Sequence, residues 1–299
     1  MPILKIAKLK QKPNYFDKVI SLIEKSYLYK QGNSYFVDFY PLMKRENWEN
    51  CHLLLKDDGA LIGHIGVKPR IISINNVEYK CAFIGGIAID PIYRNMGFFK
   101  FAFERIIETL KDKYSYAFLW SDNTNLYQKF GFSVVSECSL YVSELNAQSF
   151  LIENNYQQTK LSLLTNDEKK QIKYLYKTQI YEKKITPFRT NIDWLDIEKI
   201  KSMSLYVKKI DRQIIAYCFL GKGQDYENII HEFAVSPRHI REEELIKSLS
   251  IIVPDEEHLE KNEMCIRIPT ALSLTLKKDE EFRNKIHSQT FIILGADSI

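Results

Sequence analysis

The residues whose types and order can do chemistry are concentrated in one stretch, Ile84-Gly85-Gly86-Ile87-Ala88-Ile89-Asp90-Pro91-Ile92-Tyr93-Arg94-Asn95-Met96-Gly97-Phe98-Phe99. An apolar run ends at Asp90-Pro91, a short polar turn follows, and an amphipathic segment opens near Phe98. That order predicts a buried strand, a tight loop and a helix start, and the first backbone N–H groups of a helix have no partner inside it. The amides of Asn95, Met96, Gly97, Phe98 and Phe99 are therefore open donors at the positive end of a helix dipole. Such a turn suits an anion, a pyrophosphate above all. Gly97 lets a ligand approach the main chain without a β-carbon in the way, and Arg94 adds charge at the rim.

The surrounding elements must hold this turn. Phe16, Val19, Ile20, Ile23 and Tyr27 recur at helical spacing between Tyr15 and Tyr29. Apolar runs at His52–Lys56, Ala60–Pro69, Arg70–Ile74 and Val77–Ile89 are separated by Asp57-Asp58-Gly59 and Asn75-Asn76, which are hairpin-turn chemistry. Phe99, Ala102, Phe103, Ile106 and Leu110 form one face of a helix running to Lys113. Tyr116–Trp120 reads as a strand, Thr124–Phe130 as a short helix and Gly131 to Val142 as a return strand. The second half repeats the theme: a helix from Asp167 to Tyr181, strands at Leu205–Lys209, Gln213–Leu220 and Ile229–Val235, a helix from Glu243 to Ile252, then strands at Glu263–Pro269 and Phe291–Leu294. The fold class expected is α/β, of the α+β type, as two domains, 1–148 and 149–299. Each would be a mixed, mostly antiparallel twisted sheet flanked by helices.

Composition narrows the functions this frame serves. The 299 residues are 45% hydrophobic and 27% charged, with 18 Tyr and 17 Phe, enough apolar area for two packed cores. Eleven Gly and nine Pro are too few for fibrous or low-complexity classes. The net charge of +4 lies in the first 150 residues and acids are interleaved throughout, which argues against a nucleic-acid track and for one local anion site. Five cysteines lie too far apart for zinc or redox pairs, so no metal is expected and they read as reduced core thiols. Lysines break up the first dozen residues, unlike a signal peptide, and the uncharged run Cys81–Ile89 is about half the length a membrane-spanning helix needs. A soluble, cytoplasmic protein without membrane or nucleic-acid partners is expected; oligomeric state is not legible.

Ile-Ala-Ile-Asp-Pro-Ile-Tyr-Arg-Asn-Met-Gly, residues 87–97, resembles motif A of the GCN5-related N-acetyltransferases, in which Arg or Gln, two residues and Gly follow a hydrophobic strand. Arg94 and Gly97 match, while Phe99 stands where many members carry a small residue. Ser121-Asp122-Asn123-Thr124-Asn125-Leu126-Tyr127-Gln128-Lys129-Phe130-Gly131-Phe132 is similar to motif B, ending Leu-Tyr, three residues, Gly-Phe. The resemblance covers residues 1–145. It implies an N-acyltransferase that moves an acetyl or other acyl group from acetyl-CoA, a cosubstrate, to a primary amine by direct attack on the thioester. It also implies that the amides of Asn95 through Phe99 hold the diphosphate and that Ile87, Ala88 and Ile89 pair with the pantetheine arm. Asn123 and Asn125 would bond that arm or cap the short helix. Tyr127 would protonate the departing thiolate, and an N–H near Ile87 or Ala88 would hold the oxyanion.

Many relatives place a Glu on the fourth strand as base, where this chain reads Gly85-Gly86. Water, Glu78, Asp90 or a group from the second half must then substitute. The second half looks like a degenerate copy of the same domain: His231 and Glu232 sit on its fourth strand, and no Arg-x-x-Gly follows Pro237. With Glu78 they are candidates for the acceptor site, although a satisfied core pair is the more ordinary reading of His231-Glu232. A small cationic amine is favoured as acceptor over a peptide or protein amine. The missing carboxylate keeps open a catalytically weak acyl-CoA-binding sensor. Gly221-Lys222-Gly223 lacks the first Gly and the Ser/Thr of a phosphate loop.

Overall fold

The computed structural model describes residues 4–74, 77–121, 123–141, 143–180, 186–224, 226–249, 251–254 and 265–276. Strand β1 (Lys5–Lys8) leads to helix α1 (Phe16–Ser26), which buries Val19, Leu22 and Ile23 on one side. Two single-turn helices follow, α2 (Tyr35–Asp38) and α3 (Tyr40–Met43), parted where Pro41 withholds a backbone donor. Strands β2 (Cys51–Leu55), β3 (Leu61–Ile74) and β4 (Val77–Ile89) form an antiparallel meander. Ala60–Pro69 and Arg70–Ile74, expected as two strands, are one. Helix α4 (Phe98–Lys111) then crosses to β5 (Tyr116–Leu119), parallel to β4, and α5 (Thr124–Gln128) and β6 (Ser133–Tyr141) follow.

The second half contains α6 (Ala147–Glu153), β7 (Gln157–Thr159), α7 (Asn166–Ile180), β8 (Thr186–Phe188) and α8 (Asn191–Glu198). Then come β9 (Ser204–Ile210), β10 (Gln213–Leu220), β11 (Ile230–Val235), α9 (Ile240–Lys247), β12 (Ile251–Pro254) and β13 (Cys265–Thr275). Ile251 and Ile252, expected at the end of a helix, open β12 instead. Phe291–Leu294 lies outside the described residues. The connectivity β9–β10–β11–α9–β12, antiparallel twice and then a helical crossover to a parallel neighbour, repeats that of β2–β3–β4–α4–β5.

The fold is thus mixed α/β, with a twisted, mostly antiparallel sheet flanked by helices. That sheet does not part at residue 148. Its order is β1-β2-β3-β4-β5-β13-β6-β12-β11-β10-β9-β7, with β8 on the far stretch of β3. Strand β13 lies between β5 and β6, pairing Ser273 with Phe118 on one side and Ile268 with Cys138 on the other. Strand β8 pairs with β3 at Ile71–Ser73, an edge that the five-residue β2 is too short to cover. In the first half one face packs against α1 and α2 through Val19, Leu22, Tyr35 and Phe83, and the other against α4 through Phe98, Phe103, Ile106 and Ala117.

Buried charge fastens the second half to the first. Asp196 on α8 takes Lys44 Nζ at 2.6 Å and Lys68 Nζ at 3.0 Å, and Asp193 pairs with Arg70. Burial lowers the pKa of Lys68, and Asp196 opposes that shift. Buried pairs are costly to break because the surviving charge is left uncompensated. Asp196→Ala should therefore cost about 3–5 kcal/mol in urea unfolding at pH 7. Lys68 would become still easier to deprotonate in the folded state, so the deficit should shrink as pH rises toward the ordinary lysine range. A deficit under 1 kcal/mol, or one that grows with pH, would contradict this account.

Candidate functional site

The turn between β4 and α4 is built from local geometry. The Asp90 side chain accepts from Ile92 N at 3.1 Å, closing a single 3-10 turn over Pro91–Tyr93. Asn95 and Gly97 then take left-handed conformations, with φ of 62° and 79°. Gly97 is the N-cap of α4 and offers no side-chain cap, and the first turn of the helix carries no acidic residue. The first amide of this segment held by α4 is that of Phe101, which donates to Gly97 O at 3.0 Å. Among the described residues nothing accepts from the amides of Asn95 through Lys100. A helix start is usually neutralised by a capping side chain or an acid; this one has neither.

A second backbone irregularity lies upstream. His64 pairs with Ala88 and Gly66 with Gly85, so Ile65 faces both Gly86 and Ile87: β4 carries a bulge. Gly86 adopts a φ of 58°, and its carbonyl accepts from His64 Nδ1 at 2.7 Å. Ladder pairing between β4 and β5 stops at Phe83 and Phe118, so β4 continues from Ile84 to Ile89 with no strand paired on that side among the described residues. The two strands splay, and the peptide groups of Ile87–Ile89 border the gap.

The gap is a groove of about 550 Å³. Ile87, Ala88 and Ile89 line it, with Arg94, Asn95, Gly97, Phe98 and Phe99 at the turn and Asn123 and Tyr127 across from them. Ten of the sequence-derived candidates are thereby brought together. Met96 is more than half exposed and is not among the lining residues. Arg94 folds back, its Nε donating to Ile89 O at 3.1 Å. The Asn123 side chain caps α5 by accepting from Leu126 N at 3.2 Å, while Asn125 is exposed and not among the lining residues. Tyr127 is buried against Phe99, Phe103 and Phe132, and burial raises its pKa to about 12.

Sequence reasoning missed Ser26, Tyr27, Tyr93, Lys100 and Leu126 as lining residues. Tyr27 donates from its hydroxyl to Ile87 O at 3.2 Å, a contact across 60 residues that its place on the apolar side of a helix did not signal. Among the described residues no Asp or Glu lines the groove.

The acceptor candidates lie elsewhere. Glu78 is exposed at the other end of β4, paired with Ser73, nine residues from Ile87 or about 30 Å along an extended strand. Glu232 is held in the second-half core by a bidentate pair with Arg189, at 2.8 and 2.6 Å, and by Tyr217 Oη at 2.8 Å. Its side chain is 0% exposed, so it cannot meet a ligand. His231 is buried with Nε2 3.0 Å from Gly221 O; burial, and then the charge of Lys222, lower its pKa to about 3. Both are buried and neither is among the groove's lining residues. Among the described residues no three His, Cys, Asp or Glu side chains gather as a metal site, and no helix is long and apolar enough to cross a membrane.

Residues 9–135 match the family model described as an acetyltransferase (GNAT) domain. No curated protein matches the chain. Solved structures share its fold. A probable N-acyltransferase from Enterococcus faecalis is 12% identical with a TM-score of 0.65, over 92% of this chain and 73% of that one. A GCN5-related N-acetyltransferase from Anabaena variabilis is 11% identical with a TM-score of 0.63, over the same 92% and 73%. The N-myristoyltransferase of Saccharomyces cerevisiae, solved with bound myristoyl-CoA, is 10% identical with a TM-score of 0.58, over 92% and 84%.

The two left-handed glycines of the site differ in what surrounds them. A β-carbon on Gly86 would sit 3.1 Å from Tyr35 Oη and 3.3 Å from the His64 ring, whereas one on Gly97 meets nothing within 4 Å. Gly97→Ala should cost about 1–2 kcal/mol from backbone strain alone, and Gly86→Ala clearly more, toward 3 kcal/mol. Thermal or urea unfolding that reverses this order would refute the tight packing around the bulge.

Proposed function

We propose that this protein is an acyl-coenzyme A-dependent N-acyltransferase, acetyl-CoA being the favoured donor and a small primary amine the favoured acceptor. The observation that carries the reading is a run of unclaimed backbone amides, Asn95 to Lys100, at one end of a groove that passes Ile87–Ile89 and reaches Tyr127. The amides and the positive end of α4 would take the diphosphate. The edge of β4 at Ile87–Ile89 that β5 leaves open, where Tyr27 Oη and Arg94 Nε occupy the Ile87 and Ile89 carbonyls, would hold the pantetheine arm as an added strand, and Lys100 and Arg94 would contribute charge at the mouth. The match of residues 9–135 to an acetyltransferase domain supports the same assignment.

In the reaction the neutral amine attacks the thioester carbon, a C–N bond forms, and the oxyanion is held by a main-chain N–H at the bulge. Collapse breaks the C–S bond. Tyr127, whose raised pKa keeps its hydroxyl protonated at neutral pH, gives its proton to the departing thiolate. With no carboxylate among the described lining residues, the ammonium proton of the intermediate leaves to water. The sensor alternative also draws on that missing carboxylate.

The second half would serve as a degenerate copy that walls the acceptor side. Its repeated connectivity supports this, and the turn from β11 to α9, Ser236-Pro237-Arg238-His239, has neither glycine nor a left-handed residue. Gln224 also bridges to the groove: its Oε1 accepts from Lys30 N at 2.9 Å and its Nε2 donates to Tyr27 O at 3.3 Å.

Gly97→Asp should lower affinity for coenzyme A by at least about 100-fold in calorimetry, while Gly97→Asn, which tolerates the same φ without charge, should lose far less. Equal affinities for the two variants would remove the diphosphate from this turn. Thiol release from acetyl-CoA, assayed across aminoglycosides, polyamines, amino acids and peptide N-termini, tests transfer itself. Binding without release across the panel would favour the sensor. With an accepted amine, Tyr127→Phe should reduce kcat by about 100-fold and leave coenzyme affinity within about twofold; an unchanged kcat removes the proton donor.

A further inference from the structure

The bulge that shapes the groove is held by a residue with no part in the motifs. His64 is fully buried, and its Nδ1 lies 2.7 Å from Gly86 O. A carbonyl only accepts, so Nδ1 carries the proton, and Nε2 is the unprotonated nitrogen. That nitrogen is buried with no hydrogen-bond partner. Burial lowers the ring's pKa to about 4, against the opposing pull of the Gly86 carbonyl, so the imidazole is neutral at physiological pH. The single hydrogen bond to Gly86 is what this buried ring contributes.

Its geometric consequence is specific. In a trans peptide unit the C=O and the following N–H point in opposite directions, and the described chain has no cis bonds. Drawing the Gly86 carbonyl toward His64 therefore turns the Ile87 N–H away from it. Ile87 lies between the ladder pairs His64–Ala88 and Gly66–Gly85, at a bulge where the extra residue is left out of the β3 ladder, and β5 has left β4 four residues earlier, at Phe83. Tyr27 occupies the carbonyl of Ile87 but not its N–H. We propose that His64 is a positioning residue for acyl transfer: by holding the Gly86 carbonyl it fixes the Gly86–Ile87 peptide so that the Ile87 N–H faces the groove as donor to the thioester oxygen. This rests on the transferase reading for its catalytic consequence, but not for its geometry.

Two variants separate the roles. In His64→Asn the side-chain amide places a donor where Nδ1 stands; His64→Leu keeps similar bulk and has none. Crystal structures of both without ligand test the geometry. The Gly86–Ile87 peptide should keep its orientation in the Asn variant and rotate in the Leu variant; an unrotated peptide in His64→Leu overturns the proposal. With acetyl-CoA and an accepted amine, His64→Leu should lower kcat by about 100-fold or more with KM for acetyl-CoA within about threefold, and His64→Asn should recover most of that loss. Equal kcat losses in both variants, or a loss carried by KM alone, also overturn it. A peptide that rotates as expected in a protein that transfers no acyl group counts against the transferase reading and leaves the positioning established.

Discussion

The site exists because two parallel strands stop hydrogen-bonding. Strands β4 and β5 pair for three residues, to Phe83 and Phe118, and then diverge while β4 runs on to Ile89. Backbone groups left without partners in a protein interior are costly, so a separation of this kind is stable only where solvent or a ligand satisfies them. The bulge at Gly86 and Ile87 bends β4 outward, Tyr27 satisfies one freed carbonyl, and α4 and α5 line the opening with Phe98, Phe99 and Tyr127. The groove is a defect in the sheet, kept open by packing on either side.

What the sequence revealed about this region follows from how local its causes are. Asp90-Pro91, the left-handed Asn95 and Gly97, and the amphipathic pattern after Phe98 specify strand end, turn and helix start within a dozen residues, and each is a matter of backbone sterics and capping. The bulge was foreshadowed by the paired glycines at 85 and 86, but which one would turn, and toward what, depended on His64 across the hairpin. Tyr27 was readable as an apolar-face residue of a helix; that its hydroxyl reaches Ile87 is a tertiary fact. His231 and Glu232 were open to two readings for a related reason. Ionisable residues on a strand of a presumed repeat suggest a site, whereas Arg189, from a loop more than forty residues away, buries Glu232 in a closed pair. Nothing in local spacing distinguishes those outcomes.

The second half is more than an appended domain. Its α8 supplies Asp193 and Asp196 to three basic residues of the first half, its β8 covers an exposed length of β3, and Gln224 grips the turn that ends α1. Each contact bears on the meander or helix that frames the groove. Rigid support of this sort favours a site whose donors are main-chain amides, because backbone geometry cannot be repaired by a rotamer change.

The placement of β13 has a consequence for how such a chain is made. Residues 265–275 fill the slot between β5 and β6, so the central sheet of the first half is incomplete while the polypeptide is still leaving the ribosome. Until that late segment arrives, β5 and β6 each present an open edge, the kind of surface that invites pairing with a neighbouring nascent chain. Contacts spanning well over a hundred positions also slow the search for the native arrangement. The sheet of the first half is thereby closed only once residues 265–275 have been made.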